Sequence, residues 1–149
     1  MSEKNLQVFV DGVIRYFDCT QDSDLRIGTP YLVANSEPTA MDYTGIIGIS
    51  GTHKGCVYFT APRAMLKHLI LNMGEQDTSE SNMVDLVGEV ANTISGNARR
   101  ELGKRFMISV PVAISGPPSA IHLPKELRSY VIPLTWRSYN AAVVISLQE

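Results

Sequence analysis

Apolar positions along this chain switch between a helical period and the denser pattern of strands. Leu6, Phe9, Val10, Val13, Ile14 and Phe17 recur at spacings that put them on one side of a helix over residues 5–19. The turn formers Asp22, Asp24, Gly28 and Pro30 follow it. Three short runs rich in β-branched and aromatic residues, 31–35, 43–50 and 55–60, read as a strand and then a hairpin closed by Gly51-Thr52-His53-Lys54. Gly45 and Gly48 leave gaps on the hairpin's first strand, which suits a helix packed closely against it. Pro62 suits the first turn of a second helix whose apolar stripe is Met65, Leu66, Leu69, Ile70 and Met73 and which Gly74 ends. Thr78, Ser79 and Ser81 offer N-cap oxygens to a long third helix that ends at Leu102-Gly103. Its apolar stripe is Met83, Val87, Val90, Ile94 and Ala98. Beyond it, runs 106–114, 120–123, 129–134 and 141–147 read as strands, with turns at 115–118 and 138–140.

Helix then strands occurs twice, so the chain reads as two diverged copies of one unit around a pseudo-dyad. Hairpin-linked strands without strict alternation with helices predict an α+β fold, a mostly antiparallel sheet of about six strands packed against two or three helices. A length of 149 residues with 44% hydrophobic residues suits one domain over 1–149 and is short for two.

Charge removes some function classes. Thirteen basic and 15 acidic residues give a formal charge of -2, no field for neutralising the phosphates of a nucleic acid. Every apolar run falls short of the roughly 18 to 20 residues that span a bilayer, and Met1-Ser2-Glu3-Lys4 leads into no signal-peptide core, so a cytoplasmic protein without membrane attachment is expected. Cys19 and Cys56 are too few and too isolated for a disulfide framework or a zinc site and read as buried thiols. His53, His68 and His122 show no metal-ligand spacing with one another or with carboxylates, so each reads as structural or superficial. No phosphate-binding glycine loop and no nucleophile elbow is present.

One concentration of polar chemistry is left. Asp85, Glu89, Asn92 and Gly96 recur at helical spacing on the third helix and form a second stripe that packing does not require. An ionised carboxylate only accepts hydrogen bonds whereas a primary amide donates and accepts, so Glu89 can hold a cation while Asn92 orients water. Gly88 and Gly96 each cost a helix about 1 kcal/mol relative to Ala, which a closely approaching surface would justify. Tight packing inside the fold would justify Gly88 equally well. Arg99 and Arg100 complement the helix dipole and are not assigned to the site.

The segment Asp85-x-x-x-Glu89-x-x-Asn92, continued by Thr93-Ile94-Ser95-Gly96-Asn97-Ala98 and by Val110-Pro111-Val112-Ala113-Ile114-Ser115-Gly116, resembles the CheX-like branch of the chemotaxis phosphatases, the group that includes CheC and FliY. That group carries an acidic or Ser residue, then Glu, then Asn on one helix, with a Pro further on. Pro111 stands slightly closer to Asn92 than the usual spacing and Pro117 and Pro118 slightly further; Pro111 has the better local match. The resemblance covers nearly the whole chain and implies a CheC-like fold. It implies hydrolysis of the phosphoaspartate of a CheY-like receiver domain, which brings its own Mg2+ and lysine, so no cofactor is bound by this chain. Asn92 would orient the attacking water and Glu89 pair with the receiver lysine. Asp85, Gly96 and Pro111 would line the partner contact, although Asp85 equally suits a local hydrogen bond. Two-site members repeat the Glu-x-x-Asn pair on the first helix; the segment from Asn5 to Gly12 lacks it, so one site is expected. The resemblance also implies a homodimer joined through sheets, with 143–147 or 106–114 as the edge. The competing reading is a noncatalytic signalling module that uses the same helix to bind a partner.

Overall fold

The computed structural model describes residues 3–18, 24–35, 39–115 and 128–148. Helix α1 (Glu3–Asp18) leads to strands β1 (Leu25–Ile27), β2 (Tyr31–Ala34), β3 (Tyr43–Gly51) and β4 (Lys54–Ala61). Helices α2 (Arg63–Asn72) and α3 (Glu80–Leu102) follow, and then β5 (Phe106–Ile108), β6 (Val112–Ser115), β7 (Arg128–Trp136) and β8 (Tyr139–Gln148). All three helices occur where the apolar spacing puts them. Cys19, Asp22, Pro117, Pro118, His122 and the expected run 120–123 lie outside the described residues.

Among the described residues eight strands form one antiparallel sheet where the pattern predicts about six, for two physical reasons. β1 is only three residues long, too short for a periodic signal to stand out between Asp24 and Gly28. The expected run 106–114 is interrupted. Ser109 turns its side chain inward to β3, where its Oγ accepts from the Gly48 N–H at 2.8 Å and donates to the Val110 carbonyl at 3.0 Å. Pro111 has no N–H to offer a ladder, so β5 and β6 pair with β3 as separate segments. Gly48 therefore faces Ser109 and not a helix. The expected turn at 138–140 lies earlier, at Arg137-Ser138, and Arg137 takes the positive φ of 55° that the tight hairpin requires. Tyr139 and Asn140 are the first residues of β8.

The sheet maps onto itself when its first four strands are exchanged for its last four. β1 and β2 both pair with β7, β5 and β6 both pair with β3, and the two hairpins meet where β4 pairs with β8. Leu25 stands opposite Trp136 as Phe106 stands opposite Gly51, and Tyr31 opposite Val131 as Val112 stands opposite Ile46. The shift that carries Leu25 to Phe106 also carries the buried Phe9, Val13 and Phe17 of α1 onto the buried Val90, Ile94 and Ala98 of α3. The expected pseudo-dyad is thus visible in the pairing. β8 is central, bonded to β4 and β7, which removes 143–147 as a free edge.

The helices cover one face of the sheet. Phe9, Val13, Phe17, Ile47, Val57, Phe59, Val90, Ile94, Val143 and Ile145 belong to the main core between them. Residues of the opposite pleat, Tyr58, Val131, Ala142 and Val144, form a smaller cluster with the half-buried Cys56 against it. Burial there pushes the Cys56 thiol up to about 11. The outer face also holds a polar chain in which Ser129 Oγ donates to Asn35 Oδ1 and Asn35 Nδ2 donates to Ser146 Oγ at 3.2 Å.

Candidate functional site

Helix α3 carries the polar stripe, and its ends are set by local chemistry. Ser79 is the N-cap, its Oγ accepting from the Asn82 N–H at 3.4 Å. Gly103 is the C-cap at φ 100°, its N–H donating to the Arg99 carbonyl at 2.9 Å. The stripe of Met83, Val87, Val90, Ile94 and Ala98 is buried in the core, which fixes the rotation of the helix. That rotation leaves Asp85, Glu89 and Asn92 exposed on the opposite side, with Gly96 half-buried in line with them.

The height of this face above the sheet is set by glycines. A Cβ at Gly45 on β3 would stand 2.1 Å from the Val87 carbonyl oxygen and 2.7 Å from the Gly88 nitrogen, so the α3 backbone rests directly on β3. Across the helix, Pro111 covers Gly88: a Cβ there would lie 3.6 Å from Pro111 Cβ and 3.9 Å from Ala113 Cβ. Gly88 is therefore used by packing within the fold, whereas a Cβ at Gly96 would meet nothing within 4 Å. Pro111, half-buried, is brought to the flank of the stripe on the β6 side. Arg99 is occupied, its Nε donating to the Phe106 carbonyl at 3.2 Å, so it ties the end of α3 to β5.

On the other flank α3 meets α1 and α2. A groove of about 520 Å³ there is lined by Arg15, Tyr16 and Asp18 of α1, Met73, and Glu89, Thr93, Asn97 and Arg100 of α3. A smaller one of about 290 Å³ runs toward α2 and includes Asp85 and Glu89. The Tyr16 hydroxyl is pushed well above its ordinary range, first by burial and then by the negative charge of Glu89. Tyr16, Thr93 and Asn97 were not singled out by periodicity, because each sits at the border of a buried stripe. Met73 departs from expectation: it caps α2 and is 49% exposed, since the chain has left the helix before its side chain reaches the core.

Sequence-derived candidates outside this region have structural surroundings. His53 packs edge-on against Phe106 with ring centroids 5.6 Å apart, and His68 sits between Trp136 at 5.1 Å and Tyr139 at 5.8 Å. Among the described residues no group of three or more His, Cys, Asp or Glu is placed to hold a metal ion, and no helix is long and apolar enough to cross a membrane.

The arrangement has recognisable relatives. Residues 43–135 match the family model for CheX, chemotaxis phosphatase CheX. Among solved structures, a CheC-like superfamily protein from Shewanella sp. PV-4 superposes with a TM-score of 0.85 at 23% identity, with 100% of both chains covered. A chemotaxis protein CheX from Vibrio vulnificus gives 0.81 at 24% identity, over 97% of this chain and 99% of that one. The CheX of a CheX-CheY-BeF3-Mg2+ complex from Borrelia burgdorferi gives 0.80 at 20% identity, over 97% of each chain. No curated protein matches the sequence.

Proposed function

The chain belongs to the CheX family of chemotaxis phosphatases, and from that premise we propose that it hydrolyses the phosphoaspartate of a CheY-like receiver domain. The observation that carries the proposal is the exposure of Glu89 and Asn92 side by side on a helix whose rotation and height are fixed by its buried face. A rigid projecting pair suits entry into a partner's site better than enclosure of a small substrate. A CheX fold docked on CheY in the Borrelia burgdorferi complex supports the same partner here.

The chemistry asks little of this chain. An aspartyl phosphate is a mixed anhydride, so its carboxylate is a good leaving group once water stands in line behind phosphorus. The Asn92 amide orients that water, its Oδ1 accepting a water proton while its Nδ2 donates to a phosphoryl oxygen. As the water oxygen bonds to phosphorus, the aspartyl oxygen departs with the electron pair and the water's proton passes to the phosphate product. Glu89 pairs with the receiver's lysine and sets the register of α3 in the site. Mg2+ belongs to the receiver, where it neutralises phosphoryl charge. Asp85, Gly96 and Pro111 line the contact. The protein works in the cytoplasm as a homodimer joined along the β5–β6 edge, where Met107 of β5, Val112 of β6 and Val110 in the link between them are exposed and, among the described residues, both strands pair with β3 alone.

The test is the decay of a receiver loaded with phosphate by acetyl phosphate, followed with this protein and with Asn92→Ala. Acceleration by the wild type and a turnover loss on the order of 100-fold in Asn92→Ala are expected. Unaccelerated decay for every CheY-like receiver of the host would leave a noncatalytic module as the better reading.

A further inference from the structure

The two grooves that flank the exposed face of α3 share only two lining residues, Glu89 and Met73. Met73 is held there by backbone geometry. As the C-cap of α2 it donates its N–H to the Leu69 and Ile70 carbonyls at 3.1 and 3.2 Å, and Gly74, at φ 81°, turns the chain away immediately afterwards. A fixed backbone thus presents a half-exposed thioether beside Glu89, the one residue of the polar stripe that both grooves contain. Methionine's unbranched, polarizable side chain adapts to an irregular partner surface, and apolar side chains next to a polar pair are where interfaces concentrate their binding energy.

We propose that Met73 is the apolar anchor of receiver docking, seating an apolar side chain of the receiver in the α1–α3 groove while the receiver's lysine meets Glu89. This rests on the reading of Glu89 and Asn92 as the phosphatase pair. The occupant follows from continuity: Met73 and Glu89 line the same two grooves, so a partner that brings a cation onto Glu89 has Met73 within the surface it approaches. The β5–β6 edge lies on the opposite flank of α3, beyond Pro111, so a sheet-joined homodimer leaves this groove open. Arg15 and Asp18 of α1 and Glu89 and Arg100 of α3 line the same groove, so its apolar floor has a rim of mixed charge.

Leu71 supplies the matched control, because it is 49% exposed on the same helix and lines neither groove. Dephosphorylation rates measured against receiver concentration are expected to show KM raised roughly fivefold to tenfold by Met73→Ala with kcat unchanged, and both constants unchanged by Leu71→Ala. Binding of fluorescently labelled, BeF3-loaded receiver, followed by anisotropy, is expected to weaken by the same factor for Met73→Ala alone. An unchanged affinity for Met73→Ala, or an equal loss for Leu71→Ala, overturns the anchor. Unaccelerated decay with the wild type overturns the underlying phosphatase reading instead, full turnover by Asn92→Ala overturns only the role given to Asn92, and the anisotropy comparison still decides the anchor.

Discussion

Glu89 and Asn92 stand within one turn of α3, yet their side chains offer a partner different things. A carboxylate on an exposed helix face supplies charge and acceptance only, so its role in a protein contact is to attract and register a cation. Under the proposed pairing, Glu89→Lys sets a like charge against the receiver's lysine and is expected to raise KM by about tenfold or more while kcat changes little; unchanged KM in a rate-against-receiver titration would remove the pairing. Gly96 has a different kind of test. A Cβ there meets nothing within 4 Å, so Gly96→Ala is expected to stabilise α3 by about 1 kcal/mol and raise Tm by about 2 to 4 °C in a circular dichroism melt. If Gly96 admits the receiver closely, the same variant raises KM, a split that helix propensity alone cannot produce. These residues were legible in the sequence because exposed polar groups at helical spacing have no packing explanation. Met73 was not, because a Met at the end of an apolar stripe reads the same whether the helix lasts one residue more or less.

At the scale of elements, the site depends on how closely α3 lies on β3. Gly45 is the contact that permits it, and the atoms an added methyl would meet are backbone, which has no rotamer to escape into. Gly45→Ala is therefore expected to cost about 3 kcal/mol or more in urea unfolding, at the upper end of overpacking, and to lower turnover by tilting the stripe. A loss below about 1 kcal/mol would mean that the helix slides freely over the sheet. The two strand glycines show what a sequence can and cannot say at this level. Both were readable as gaps, and Gly45 does meet the helix, but Gly48 meets Ser109, whose inward turn depends on a tertiary hydrogen bond to β3. Long helices with caps at both ends are set locally. Strands of three or four residues such as β1, β5 and β6 exist only because a partner strand is already there to pair with.

At the scale of the molecule, the pseudo-dyad turns an absence into a count of sites. The sheet pairing is symmetric between halves, so the helix proposed to be catalytic has an equivalent: α1 packs beside α3 and carries its own buried stripe in the equivalent register. The register that aligns Phe9 with Val90 puts Val8 and Asp11 where Glu89 and Asn92 stand. Val8 is half-buried and packs against the core, and Asp11, though exposed, accepts a hydrogen bond at 2.9 Å from Gln7 Nε2. A carboxylate at the amide's position can accept from water but cannot donate to a phosphoryl oxygen, and it sets negative charge against the phosphate. The fold has two equivalent helices, and only α3 carries the Glu and Asn pair of the proposed site. Calorimetric titration of the protein with BeF3-loaded receiver is accordingly expected to saturate at one receiver per chain, and Asn92→Ala to bring phosphate release down to the receiver's own rate with no residual phase. A stoichiometry of two, or a slower second phase surviving in Asn92→Ala, would mean that α1 has kept a site built from residues other than the Glu and Asn pair.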